Sequence, residues 1–227
     1  MPNDAPPPLP ATAAELRSRA AQRLSAVPSE AVFDPSRAPE RGDHDLNPTS
    51  YPGFGEPPVT AQLRPAAVLV PIIERPAGLT VLLTRRTDHL PSHPGQVAFP
   101  GGKIEPGDRT PLETALRESE EEIGLEREFV EPLGYLDCYQ TGTGYRVVPV
   151  VAIIRHGFTL RLDPSEVADA FEVPLAFLMD PVNHERHERE WRGRIRSYYV
   201  MPFEHRQIWG ATAGMIRNLY ERLLCPC

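Results

Sequence analysis

Cysteine is scarce in this chain. Its 227 residues include only Cys138, Cys225 and Cys227, which excludes a disulfide framework and a four-ligand zinc site. The closing Cys-Pro-Cys falls short of a prenylation box. Long apolar runs are missing too: none reaches the ~18 residues of a membrane span. The first residues lack the basic stretch and apolar centre of a secretory signal. Positive charge is not in excess either. Lys and Arg total 24 against 31 Asp and Glu, a formal net charge of −7, which argues against nucleic acid or an anionic membrane as the main partner. No repeat period appears, so a solenoid is not expected. A chain 41% hydrophobic can still bury one sizeable core, and the composition fits a cytoplasmic enzyme. Anionic small molecules remain admissible substrates where a metal and local Arg side chains neutralise them.

What the chain has is concentrated in residues 97–125, VAFPGGKIEPGDRTPLETALRESEEEIGL. Thr110, Pro111 and Glu113 are a helix start signal: an N-cap, a proline at the first helical position, and a Glu placed to close a capping box. Gly124 is the expected stop. At about 100° per residue, Leu112, Leu116 and Ile123 share a stripe, with Ser119 at its edge. Glu118, Glu121 and Glu122 project from roughly the opposite side, since i, i+3 and i+4 lie on one face. Like charges so placed destabilise a helix, and a hard divalent cation with oxygen ligands reverses that repulsion. A solvated acidic face is the competing reading. The glycine pair ahead of the helix, and Arg117 beside the carboxylates, favour a metal site.

This segment resembles the Nudix box, a glycine and an acidic residue followed by Arg-Glu-x-x-Glu-Glu-x-Gly. Here it reads Gly102, Asp108, then Arg117-Glu118-Ser119-Glu120-Glu121-Glu122-Ile123-Gly124-Leu125. Asp108 stands for the usual Glu, with one extra residue before Arg117, and Ser119 takes an aliphatic position. Both departures are similar to those of the coenzyme A pyrophosphatase branch. Its upstream signature matches Leu82-Leu83-Thr84-Arg85-Arg86 and Gly95-Gln96-Val97-Ala98-Phe99-Pro100-Gly101-Gly102, and its closing segment resembles Ile208-Trp209-Gly210-Ala211-Thr212-Ala213. A third departure is Pro91, where that branch usually places an Arg.

The resemblance implies an α/β fold, a Nudix-type α/β/α sandwich with a mixed sheet. It also implies metal-assisted hydrolysis of a phosphoanhydride. In that reading Glu118, Glu121 and Glu122 hold Mg²⁺ or Mn²⁺, and Arg117 fixes a Glu side chain. Gly101 and Gly102 let backbone approach a pyrophosphate, and Arg86 matches the family's Arg and suits a phosphate contact, a salt bridge to the acidic helix being its competing reading. Glu166, in Asp163-Pro164-Ser165-Glu166-Val167, lies where related enzymes draw a general base, with Glu121 as the alternative base. Its competing reading is a carboxylate at the start of a helix-like stretch. The implied substrate is a small-molecule nucleotide diphosphate, coenzyme A or an acyl derivative, cut to 3′,5′-ADP and 4′-phosphopantetheine. A broader nucleoside diphosphate hydrolase such as an ADP-ribose diphosphatase is the alternative. A non-catalytic nucleotide-binding module and a calcium-loaded scaffold are the rivals from other classes. A homodimer is one assembly this reading admits.

Two domains are expected. Residues 1–58 carry 12 of the 27 prolines and one short amphipathic helix at 12–26, with Leu16, Ala20 and Leu24 on one face, followed by an extended wrap over 28–64. That helix is expected to dock on the body or on a second subunit, and if it only docks, a chain starting at Val59 keeps hydrolysis. Residues 59–227 form the hydrolase domain. Within it a hairpin spans Ala66–Glu74 and Leu79–Arg85, and strands are expected at Phe129–Tyr139 and Arg146–Ile154. Pro149 suggests an edge or bulge in the second of these. A short helix at Pro174–Met179, a strand pair at Glu190–Met201 and a helix at Gln207–Leu224 complete the pattern. His93 is read as a turn residue or a phosphate contact, Trp209 as core or platform. Tyr198 and Tyr199 point to opposite sides of any strand.

Overall fold

Alternation along three strands generates the architecture. In β2 (Arg64–Arg75), Ala66, Val70 and Ile72 enter one buried cluster while Ala67, Leu69 and Ile73 enter another. In β3 (Gly78–Arg86), Leu79, Val81 and Leu83 join the first cluster and Leu82 the second. β8 (Tyr145–Ile154) behaves alike, with Val151 and Ile153 opposed to Val150 and Ile154. Side chains two apart share a face, so a sheet hydrophobic on both sides must be covered on both. The computed structural model describes residues 7–47, 63–191 and 193–225 and shows that covering. Helix α2 (Pro111–Ile123) packs Ala115 and Ile123 on one side. On the other side lie α1 (Ala13–Arg23), α3 (Leu175–Leu178) and α4 (Ala211–Leu224). This is the expected α/β/α layering around a mixed sheet.

Among the described residues the large sheet has nine strands. β2 and β8 pair in parallel, and β2 and β3 form the expected hairpin, closed between Arg75 and Gly78. Beyond Val81 β3 diverges from β2. The segment made of β4 (Val97–Ala98) and β5 (Gly101–Lys103) fills the opening, β4 pairing with β3 and β5 with β2. A smaller antiparallel sheet of β10 (Glu185–Trp191), β11 (Arg194–Phe203) and β12 (Arg206–Trp209) lies beside the body, with Met201 and Ile208 in the first core cluster.

Several expectations are corrected. The stretch after Glu166 is not helical: it is β9 (Val167–Pro174), paired with β3, because the segment finds an open strand edge there. The strand pair expected from Glu190 starts at Glu185 and has a third member, β12, which takes residues 207–209 from the expected last helix. Gly210, at φ +63, breaks the chain before α4. The strand expected over 129–139 is two pieces, β6 (Val130–Tyr135) and β7 (Tyr139–Gln140), both against β8. Pro149 is therefore in the centre of the sheet. Its missing donor falls where β6 has ended and β7 not begun, and its carbonyl accepts from the Leu136 amide at 3.0 Å.

The N-terminal segment shares the body's core. Thr12 and Glu15 form a full capping box on α1, and Ala13, Leu16 and Ala20 are buried. The 28–47 stretch holds short 3-10 turns and β1 (Arg41–Gly42), which pairs with β7. Arg146, 3% exposed, donates to the carbonyls of Ala31, Asp34 and Arg37 from inside β8. The expected boundary near residue 58 and the rest of the wrap lie outside the described residues. Among those described, no helix is long and apolar enough to cross a membrane.

Candidate active site

Helix α2 runs as the caps dictate. Thr110 accepts from the Glu113 amide at 3.2 Å, Pro111 opens the helix, and Gly124 at φ +67 ends it. The capping box is displaced by one residue: Glu113 reaches back to the amide of Arg109, at 2.7 Å, rather than to that of Thr110. Ser119, the departure at an aliphatic position, is fully buried and donates to the Ala115 carbonyl at 2.6 Å. A helix carbonyl thus satisfies its buried hydroxyl.

The glycine pair sits directly against the acidic face. Gly101 lies at φ +152, and a Cβ there would come within 2.4 Å of the Ala67 carbonyl. A Cβ on Gly102 would lie 2.4 Å from the Glu118 carboxyl carbon. The Gly101 amide donates to Glu122 Oε2 at 3.2 Å. Two of the acidic residues are therefore drawn under the β4–β5 segment, while Glu121 stays largely exposed.

Arg117 ties this face together. Its Nε and Nη2 donate to the two oxygens of Asp108 at 3.1 and 2.9 Å. Its Nη1 reaches Glu118 Oε1 and Glu121 Oε2, each at 3.0 Å. The Arg117 guanidinium, with help from the Glu105 amide and the Thr114 hydroxyl, holds the Asp108 carboxyl down at about 2. Glu118 and Glu122 move the other way. Burial raises Glu118 despite Arg117 beside it. Burial raises Glu122 to about 8, reinforced by Glu118 and Glu166 and opposed by the Gly101 amide and Arg86. Glu122 is 5% exposed. In both Glu118 and Glu122, desolvation outweighs the neighbouring arginine.

Arg86 ends β3 on the same side, its Nη1 3.8 Å from Glu122 Oε1 and its buried Nε without a hydrogen-bond partner. Glu166 is carried in from the far side. The loop bearing it is stitched to the end of α2, since Arg161 and Asp163 donate backbone amides to the carbonyls of Ile123 and Glu122 at 2.8 and 2.9 Å. The structure thus brings together Arg86, Gly101, Gly102, Arg117, Glu118, Glu121, Glu122 and Glu166. His93 stands apart in an exposed loop at φ +57, its Nδ1 2.9 Å from Gln96 Oε1. Tyr199 packs into the core while Tyr198 meets Trp209 edge to face. Sequence reasoning did not find the stitching of the Glu166 loop, because backbone-to-backbone bonds leave no residue-type signal.

Among the described residues no three carboxylate, imidazole or thiolate groups already converge on one coordination point. The donor set nevertheless fits a hard divalent ion. It is all oxygen, and burial raises the carboxyls of half-buried Glu118 and buried Glu122, so a cation there would be favoured. Glu118 and Glu122 would hold such an ion, with Glu121 reached by a turn of its exposed side chain.

A mixed sheet lies between helix layers, with the Gly101–Gly102 segment laid over the acidic face of α2. The NUDIX domain family matches residues 63–193, and the chain belongs to that family. An uncharacterized Nudix hydrolase, NudL, of Yersinia pestis (strain Pestoides F) is 41% identical over 164 residues, 72% of this chain and 82% of its own length. The NudL of Yersinia pseudotuberculosis (serotype O:1b) matches to the same extent. Among solved structures, an Ap4A hydrolase binary complex from C. elegans aligns over 49% of this chain and 80% of its own, at 21% identity and a TM-score of 0.41.

Proposed function

We propose that this Nudix hydrolase cleaves the phosphoanhydride of coenzyme A or an acyl derivative, releasing 3′,5′-ADP and 4′-phosphopantetheine. The observation that carries the hydrolytic reading is the Glu118–Glu122 pair, half-buried and buried respectively, mutually repelling beneath Gly101 and Gly102. Bound Mg²⁺ or Mn²⁺ would neutralise diphosphate oxygens and acidify a water. The chain's own groups do the rest. Arg117, fixed by Asp108, orients the carboxylates of Glu118 and Glu121. Gly101 and Gly102 keep side chains out of the path of a diphosphate. Arg86, with a free donor beside Glu122, contacts phosphate. Glu166 accepts the proton of the attacking water, a role its closeness to both buried carboxylates supports.

The coenzyme A assignment rests on the Leu82-Leu83-Thr84-Arg85-Arg86 signature, whose Arg86 lies at the acidic face. One observation favours the broader alternative. Pro91, exposed in the loop after β3, supplies no cation where the branch has one, so a 3′-phosphate loses a partner worth ~1.5–3 kcal/mol. The test is kcat/KM for coenzyme A, 3′-dephospho-coenzyme A and ADP-ribose at one Mg²⁺ concentration. Coenzyme A is expected to lead, with weak preference over its dephospho form. ADP-ribose leading by roughly tenfold, about 1.4 kcal/mol, would establish the ADP-ribose diphosphatase reading instead.

A further inference from the structure

The loop that presents Glu166 is gripped from a second side. Pairing of β3 with β9 slips at Arg85/Arg86: Arg85 faces Asp169 while Arg86 faces Val167, leaving Ala168 as an extra residue. Such a bulge re-aims the chain that follows it. Just past it, the Thr87 amide donates to the Glu166 carbonyl at 3.0 Å. The Thr87 hydroxyl and His89 Nε2 both address the carbonyl of Ser165, at 3.3 and 3.2 Å. Thr87 is 6% exposed. An Nε2 facing a carbonyl must carry a proton, which both the Nε2–H tautomer and the imidazolium do. Below, Asp163 accepts from the Ser165 amide and hydroxyl at 2.8 Å each, and the Glu166 amide donates to the Asp163 carbonyl at 3.1 Å. The peptide units on both sides of Glu166 are thereby fixed to β3 on one flank and to the end of α2 on the other.

We infer that Thr87 and His89 are positioning residues, whose side-chain donors on the Ser165 carbonyl hold the Glu166 carboxylate over the Glu118–Glu122 pair. This rests on Glu166 being the proton acceptor. Neither residue touches the reacting atoms. Their effect passes through the backbone of the Glu166 loop, where a displacement near 1 Å is enough to cost on the order of 100-fold in rate.

The test uses Thr87→Val, Thr87→Ser and Glu166→Gln in the full chain with Mg²⁺ and the best substrate of the panel. Thr87→Val keeps shape and deletes the hydroxyl. It should lower kcat by roughly 10- to 100-fold with KM little changed, while Thr87→Ser restores most of the rate. In the Glu166→Gln background Thr87→Val should add less than about twofold, because residues acting as a unit are not additive. Hydrogen exchange on the metal-free protein gives a second readout. The amides of Glu166 and Val167 should exchange about tenfold faster in Thr87→Val and at the native rate in Thr87→Ser. A reduced Glu166→Gln rate on which Thr87→Val acts multiplicatively would overturn the positioning role alone. Unchanged exchange would do the same. A Glu166→Gln enzyme with native kcat would remove the proton-acceptor reading, and with it anything for Thr87 to position.

Discussion

Arg117 and Asp108 form a two-pronged ion pair, Nε and Nη2 each donating to a separate carboxylate oxygen. The Asp108 side chain is 7% exposed. Its carboxyl is depressed from 3.8 to about 2, so it contributes stability that is fully present above pH ~3.8 and lost as pH falls through about 2. With screening at the partly exposed Arg117, this amounts to about 1–2 kcal/mol. Asp108→Asn should therefore lower the melting temperature by several degrees at pH 7 and flatten the acid limb of the stability curve. An unchanged melting temperature together with an unchanged acid limb would show that the pair contributes nothing.

Glu122→Gln separates charge from shape. In the metal-free fold Glu122 is largely protonated near neutral pH, and Gln mimics that state, so stability should hold or rise slightly. Hydrolysis should fall by at least ~100-fold, since ligand electrostatics carry several kcal/mol. Steady-state rates under saturating Mg²⁺ decide it, and near-native turnover would remove this face from the chemistry.

Metal binding should release a proton. Because the Glu122 carboxyl is raised to about 8 by burial, the metal-free fold loses stability as pH rises through about 8, where the unpaired anion must form. A divalent ion binding the carboxylate displaces that proton. Mg²⁺ affinity should therefore rise by up to tenfold per unit between about pH 6 and 8. Calorimetry at pH 7 in two buffers of different ionisation enthalpy reads the proton directly, and identical heats in both buffers would contradict the assignment.

Deleting the N-terminal segment should abolish folding, contrary to the sequence expectation that a chain starting at Val59 keeps hydrolysis. The Arg146 guanidinium, buried within β8, loses the carbonyls of Ala31, Asp34 and Arg37. Truncation also bares the apolar face that Ala13 and Leu16 cover, at a cost of about 2 kcal/mol or more against a typical total of ~5–15. Expression of residues 59–227 should yield aggregate. A soluble product melting cooperatively within a few degrees of the full chain would refute this.

Much of the body was legible because its signals are local. Thr110, Pro111 and Gly124 bound α2, and β-rich runs on either side of Arg75-Pro76-Ala77-Gly78 revealed β2 and β3. The acidic residues, read as one helix face, do lie on one face. What escaped depends on partners distant in sequence. Nothing near Val167 distinguishes a helix from a strand, and the vacant edge of β3 decides it. Pro149 sits centrally because β6 and β7 interrupt their pairing opposite it. The different fates of Glu118, Glu121 and Glu122 come from which of them the Gly101–Gly102 segment covers, and helical spacing is blind to that.

The strap formed by the N-terminal segment also bears on the order of folding. Arg19 donates to the Leu223 carbonyl 204 residues away, and Arg41 pairs with Glu221 across 180. At about 5–20 residues per second of synthesis, roughly 10–40 s separate the emergence of the first partner from that of the second. The segment made first is among the last to be locked: its bonds to β8 can form once Arg146 has emerged, but those to α4 wait for the end of the chain. Long-range closure of this kind slows folding, and a nascent chain in that interval exposes Leu16 and the sheet face it covers, a target for a chaperone on the ribosome.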